Sequence, residues 1–128
     1  MSFPVTSLYA LPLVVIYVVL FARVVMQRGA LRSSIGHADD VTLHERIRQH
    51  ANFTENVPLA LLLLGLAEAN AGNSVALHTA GGVLVVGRLL HPVGLTAGNP
   101  AHPFRVAGAS LTLLVIIALA VMIAMARF

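Results

Sequence analysis

Four apolar stretches run through this sequence, and their lengths constrain its fold more than any other feature. The stretches 5–22 and 106–126 contain no charged residue. The stretches 51–69 and 75–90 are apolar apart from a few polar positions. A helix needs about 20 apolar residues to cross a hydrocarbon core about 30 Å thick. Each stretch approaches or reaches this length, so the sequence predicts four transmembrane helices.

The overall composition supports lipid as the solvent of the chain. Of its 128 residues, 58% are hydrophobic and 10% are charged, whereas soluble domains carry about 25% charged residues. A chain this small cannot bury so much apolar surface in its own interior. We therefore predict an all-α transmembrane four-helix bundle that forms a single domain over residues 1–128. No basic residue precedes the first stretch, so we interpret it as a retained helix rather than a signal peptide.

The segments between the apolar stretches indicate how the helices are connected. Residues 70–74 (Asn-Ala-Gly-Asn-Ser) form a short polar turn, which predicts that helices 2 and 3 make an antiparallel hairpin. Thr42 and Glu45 have the spacing of a capping box, and Asp39 and Asp40 also suit a helix start. A helix over 41–71 would be about 45 Å long, so we expect its first turns to project beyond the membrane. Pro12 should kink helix 1 without breaking it.

The distribution of arginine predicts the orientation of the chain. All eight basic residues are arginines, and seven of them fall in the first and third loop regions or beside them. Loops on the cytoplasmic side carry an excess of positive charge. We therefore expect the first and third loops to be cytoplasmic and both termini to lie outside. Nucleic-acid binding would need a basic face on a soluble domain, whereas the arginines here lie between apolar stretches. We therefore do not expect this protein to bind nucleic acid.

Helix 2 carries a polar stripe where it enters the membrane. At 100° per residue, Glu45, Arg48, Asn52 and Glu55 lie within about 80° of one another. A carboxylate near the lipid boundary is costly unless it faces protein or water and has a partner. The stripe is either a helix-packing ion pair or part of a ligand site. A cluster of arginines, carboxylates and an amide would suit a small zwitterionic ligand with net negative charge.

Two further polar groups should lie at the same end of the bundle. Arg88 and His91 are three residues apart at the end of helix 3. Arg105 begins helix 4, and Gly108 and Thr112 follow it with the spacing that lets two helices approach closely. We expect these side chains and the helix 2 stripe to converge on one cavity. The sequence contains no cysteine, and no histidine pair has a spacing that suggests a metal site.

The pattern of these residues resembles the MAPEG family, the membrane-associated proteins in eicosanoid and glutathione metabolism. The resemblance covers nearly the whole chain and is closest to the small bacterial branch of the family. Its most specific part is the helix 2 motif, Arg48-x-His50-x-Asn52-x-x-Glu55 followed by Pro58. The segments Gly87-Arg88-Leu-Leu-His91 and Phe104-Arg105-Val-Ala-Gly108 add to it.

This resemblance implies a fold, a ligand and an activity. It implies a homotrimer in a bacterial inner membrane that binds glutathione as a co-substrate near its cytoplasmic side. Arg105 would stabilise the glutathione thiolate, which would attack a lipophilic electrophile or hydroperoxide arriving from the membrane lipids. The positions matched to glutathione binding are Arg48, Asn52, Glu55, Arg88, His91 and Arg28.

One departure from the family bears on the activity. Eicosanoid-forming members place a tyrosine or serine close to the catalytic arginine, whereas both tyrosines here, Tyr9 and Tyr17, lie in helix 1. The departure argues against a specialised eicosanoid synthase. Three functions remain open: a glutathione transferase or peroxidase, a glutathione- or lipid-binding protein without turnover, and a small transporter or structural protein. A transporter would need a path of charge across the membrane, and only Glu68 and His78 lie towards the far side.

Overall fold

Four helices make up nearly all of the computed structural model, which describes residues 2–70 and 73–127. They are α1 (Pro4–Leu31), α2 (Val41–Ala69), α3 (Ser74–Gly94) and α4 (Pro103–Arg127). The described ranges contain no strand. The prediction of an all-α four-helix chain is therefore confirmed. The predicted turn over residues 70–74 lies partly outside the described residues, which leave out 71 and 72.

Three of the helices, α1, α3 and α4, are long and apolar enough to span a membrane. α2 has 29 residues and would be about 43 Å long. Its first three turns carry Glu45, Arg46 and Arg48, which lower its mean hydropathy. The charge-free stretch ends at residue 22, and Arg23 and Arg28 were assigned to the first loop region, but α1 continues through both of them to Leu31.

Contacts between the helix ends show that neighbouring helices run antiparallel. Glu68 near the end of α2 bonds to the first turn of α1, and Arg46 near the start of α2 bonds to the backbone of Arg23 in α1. Gly87 in α3 lies against Gly108 in α4. The bundle therefore has a first-loop end, with loops 32–40 and 95–102, and an opposite end, with both termini.

Apolar side chains line the inside of the bundle and also cover much of its outside. The core contains Leu13, Leu64, Leu84 and Leu119, each 1% exposed or less. The outer faces of the helices carry large apolar side chains that are about half exposed or more; examples are Leu11, Val18, Leu62, Leu114 and Ile117. An apolar exterior of this extent is stable in lipid and would aggregate in water.

The start of α2 corrects one prediction from the sequence. Thr42 does not cap the helix: the N-cap is Asp40, whose carboxylate accepts a hydrogen bond from the Leu43 N–H at 2.6 Å. Aspartate is among the strongest N-cap residues because its side chain satisfies one of the free amides of the first turn. Glu45, the other member of the expected capping box, instead accepts a hydrogen bond from the Ala97 N–H at 2.7 Å.

Candidate functional site

A buried guanidinium, that of Arg88, joins three helices at the first-loop half of the bundle. The residue is 2% exposed. Its Nη1 donates to Oδ1 of Asn52 on α2 at 2.9 Å, and its Nη2 donates to the carbonyl oxygen of Gly108 on α4 at 3.1 Å. A buried charge is tolerated only when it is hydrogen-bonded. Arg88 and Asn52, two of the predicted ligand-binding residues, are thus brought together inside one subunit.

The backbones of α3 and α4 come close enough here for the Arg88 bond to form. A Cβ on Gly108 would lie 2.6 Å from the carbonyl oxygen of Gly87 and 2.7 Å from the Cβ of His91. Only glycine fits this crossing. Thr112, one turn further along α4, is 2% exposed and its hydroxyl donates to the Gly108 carbonyl at 2.8 Å. The predicted packing role of Gly108 and Thr112 agrees with this geometry, and the Thr112 hydroxyl is already used.

Arg48 and Glu55 form an ion pair on the outward face of α2. Their Nη1 and Oε1 atoms are 3.7 Å apart, and their side chains are 50% and 55% exposed. The same face continues through Leu59, Leu62 and Leu66, which are all exposed. The predicted stripe therefore turns away from the centre of its own bundle, and Asn52 lies at its edge, half-buried, towards Arg88.

Two neighbouring cavities take the place of the single cavity that the sequence predicted. The first, of about 420 Å³, lies between loop 32–40, the start of α2 and residues 95–97, and Arg48 and Glu45 line it. The second, of about 490 Å³, lies between α1 and α3, and Arg88, Gln49 and Glu45 are among its lining residues. Glu45 borders both cavities.

The remaining predicted residues lie at the same end, and none of them hydrogen-bonds to Arg88 or Asn52 in the described part of the chain. Arg105 is half-buried at the start of α4, and its Nη1 donates to the carbonyl oxygen of Pro100 at 3.0 Å. Arg28 donates to the carbonyl oxygen of Gly36 at 3.0 Å and so fastens the first loop to α1. His91 is 4% exposed and packs behind Gly108. Neither cavity is lined by Arg105.

Gln49 was missed by the sequence analysis, although it lies in the wall of the second cavity. It is 5% exposed, and its Nε2 donates to the carbonyl oxygen of Leu95 at 3.0 Å. Its position in the helix could have indicated that it is buried. At helical spacing, Gln49 lies on the same face of α2 as the buried residues Phe53, Val57 and Ala60. A polar residue that extends a buried stripe by one turn is itself expected to be buried.

The chemistry of this end favours an anionic or zwitterionic ligand. Arginine presents several N–H donors in a fixed planar arrangement that matches a carboxylate. Within residues 2–70 and 73–127, no three histidine, aspartate or glutamate side chains are grouped as a metal site would require. The polar side chains that line the two cavities carry guanidinium, carboxylate, amide, imidazole and hydroxyl groups.

Similarity to known proteins agrees with the four-helix membrane architecture. The MAPEG family model matches residues 6–125. The inner membrane protein YecN of Escherichia coli strain K12 is 32% identical over 90 residues, which are 70% of this chain and 69% of YecN. YecN of Escherichia coli O6:H1 matches to the same extent. No solved structure matches the chain. With a family model that matches nearly its whole length, this four-helix membrane protein belongs to the MAPEG family.

Proposed function

We propose that this protein binds glutathione at the first-loop end of the bundle and activates its thiol for reaction with lipophilic electrophiles or hydroperoxides. The activity is that of a glutathione transferase or peroxidase. The observation that supports it most is the outward ion pair of Arg48 and Glu55, which is half exposed at the level where α2 enters the apolar part of the bundle. Charged side chains facing lipid are costly, so a polar ligand or a second subunit should cover them.

The pair and its neighbours complement the charges of glutathione. At neutral pH the tripeptide carries two carboxylates and one ammonium group. Arg48 can pair with a carboxylate through two N–H donors, and Glu55 can pair with the ammonium group. Their separation of 3.7 Å is longer than a charge-assisted hydrogen bond, which is about 2.7–2.9 Å. Each partner therefore retains capacity to bind an opposite charge on the ligand.

Asn52 and Arg88 support the site from inside the bundle. Both terminal nitrogens of Arg88 are bonded within the protein. Arg88 therefore orients Asn52 through its Oδ1, which leaves the amide Nδ2 of Asn52 to donate to the ligand. Rigid support behind a binding residue holds it in the geometry that binding needs.

Arg105 is the residue that we propose activates the thiol. The guanidinium has five N–H donors, and one hydrogen bond, to Pro100, is seen in the structure. A thiolate is the reactive form of glutathione, and a nearby cation lowers the pKa of a thiol. Arg105 would act by stabilising the thiolate, which then attacks the electrophile.

The assembly and orientation belong to the same proposal. A homotrimer would cover the outward face of α2 with a neighbouring subunit and place each glutathione between subunits. The excess of arginine at the first-loop end supports a cytoplasmic location for that end. Glutathione is then reached from the cytoplasm, and the apolar substrate from the membrane.

A binding titration with matched variants tests the proposal. Calorimetry with purified protein should show glutathione binding that weakens on the order of tenfold in Arg48→Ala, because a charge-assisted hydrogen bond is lost. Arg127→Ala is the control: it removes the same charge at the opposite end of the bundle and should leave the affinity unchanged. Equal affinities in both variants would contradict the proposed site.

A non-catalytic glutathione-binding protein is the second candidate, and one observation favours it. Thr112 carries the buried hydroxyl that lies nearest Arg105 along α4. This hydroxyl donates to the Gly108 carbonyl oxygen and does not reach out of the bundle. The Tyr9 hydroxyl lies at the opposite end, 3.1 Å from Nδ1 of His78. Binding without thiolate formation would select this candidate over the enzyme.

A further inference from the structure

The cleft between α1 and α3 opens sideways, towards the apolar surroundings of the bundle. Its volume is about 490 Å³, within the range of small-molecule sites. Val19 on α1 and Leu89 and Val93 on α3 line the cleft and are 52%, 54% and 64% exposed. Its mouth is therefore apolar and lies on the outer surface of the bundle.

Two polar atoms without partners lie in residues that form the inner wall of this cleft. Among the described residues, Nε of Arg88 and Oε1 of Gln49 are buried and make no hydrogen bond. Arg88 and Gln49 are 2% and 5% exposed, and both line the cleft. Buried polar atoms are almost always satisfied in folded proteins. One donor and one acceptor are thus left for a molecule in the cleft.

The hydrogen-bonding of Gln49 defines what that molecule must offer. Its amide nitrogen donates to the Leu95 carbonyl, so the atom without a partner is the carbonyl oxygen, which needs a donor. Nε of Arg88 needs an acceptor. A single hydroxyl oxygen meets both needs, whereas a carboxylate has no proton to donate. The charged residues that line the cleft besides Arg88 are Arg23 and Glu45, whose charges cancel.

We propose that this cleft binds a single-chain lipid whose head group is a neutral hydroxyl. The head-group oxygen accepts from Nε of Arg88 and its O–H donates to Oε1 of Gln49, after a small movement that admits it to these buried atoms. The chain leaves through the mouth formed by Val19, Leu89 and Val93. Binding at this cleft needs no glutathione, and so it does not rest on the function proposed above.

Competition binding tests the inference with purified protein in nanodiscs. Radiolabelled hexadecanol should bind saturably, and unlabelled hexadecanol should displace it. The methyl ether of hexadecanol has the same chain but no donor, so it should compete on the order of tenfold less well. If the ether competed as well as hexadecanol, the hydroxyl proton would not be bound by Oε1 of Gln49. That result would overturn the proposed hydroxyl site. Stronger competition by ionised hexadecanoate would overturn it as well.

A pair of substitutions on α1 locates the binding. Val19→Trp places an indole in the mouth and should abolish hexadecanol binding. Val18→Trp is the matched control, because Val18 is 54% exposed and does not line the cleft. Both positions face outward, so neither variant should unfold, which size-exclusion chromatography checks. Equal binding by the two variants would place the lipid elsewhere and refute the proposal. The assay contains no glutathione, so its failure leaves the proposed glutathione site untouched.

Discussion

Nη1 of Arg88 lies 2.9 Å from Oδ1 of Asn52, and this hydrogen bond joins the polar face of α2 to the interior of the bundle. Asn52 was predicted as a ligand-binding residue and Arg88 as another. Under the proposed function, Arg88 supports Asn52 through this contact, and Asn52 contacts the ligand. Because the Arg88 guanidinium also bonds to Gly108, a change at any of the three residues should affect both stability and binding.

Removing the Asn52 amide should destabilise the bundle measurably. We expect Asn52→Ala to lower the free energy of unfolding by about 1.5–3 kcal/mol, the range for a hydrogen bond to a charged group. The measurement is unfolding by sodium dodecyl sulfate in mixed micelles, followed by circular dichroism. In a background that already carries Arg88→Met, Asn52→Ala should lower the free energy of unfolding much less, because the buried charge is gone. Additive effects of the two substitutions would show that the bond carries no coupling energy.

The crossing of α3 and α4 should tolerate no side chain at Gly108. Gly108→Ala places its Cβ against the Gly87 backbone, which cannot move independently of its helix. We expect a loss of about 1–3 kcal/mol, as for other overpacked sites. Gly82→Ala is the control on α3, because a Cβ there meets nothing within 4 Å. Thermal unfolding in detergent compares the two variants; equal transition temperatures would contradict the close packing.

Glu68 should stabilise the opposite end of the bundle without taking part in glutathione binding. Its carboxylate accepts hydrogen bonds from the N–H groups of Val5 and Thr6, both at 2.8 Å, and from the Thr6 hydroxyl at 2.6 Å. These groups are free donors at the start of α1, where a negative charge is also favourable. We expect Glu68→Gln to reduce stability by about 1 kcal/mol and to leave the glutathione affinity unchanged. A matching loss of affinity would mean that the two ends are coupled.

The helices could be located from the sequence because charge-free stretches are long and unambiguous. The stretch 106–126 differs from the observed α4 by three residues at its start and one at its end. The end of α1 was placed too early because Arg23 and Arg28 were taken as loop residues. Helices continue through the membrane interface, where arginine side chains reach water along their own stems.

The site was only partly predictable, because tertiary contacts decide what a polar side chain does. The helical register correctly placed Arg48, Asn52 and Glu55 near one another. The sequence analysis did not distinguish Arg88, which is buried and hydrogen-bonded at both terminal nitrogens, from Arg48, which is half exposed. The helical register of Arg88 with Leu84 and Leu77 was the signal that could have done so. The capping box failed for a similar reason: Asp40 caps α2, and Glu45 is drawn to the backbone of residue 97.

Thiolate formation measures the proposed chemistry most directly. Glutathione is added to the purified, detergent-solubilised protein, and the thiolate absorbance is followed in the ultraviolet, with Arg105→Ala alongside. We predict an increase in absorbance with the wild-type protein that is lost in Arg105→Ala, while calorimetry shows that the variant still binds glutathione. Equal thiolate formation in both proteins would contradict the role of Arg105. No increase in either protein, with binding retained, would contradict thiol activation and favour the non-catalytic binding protein.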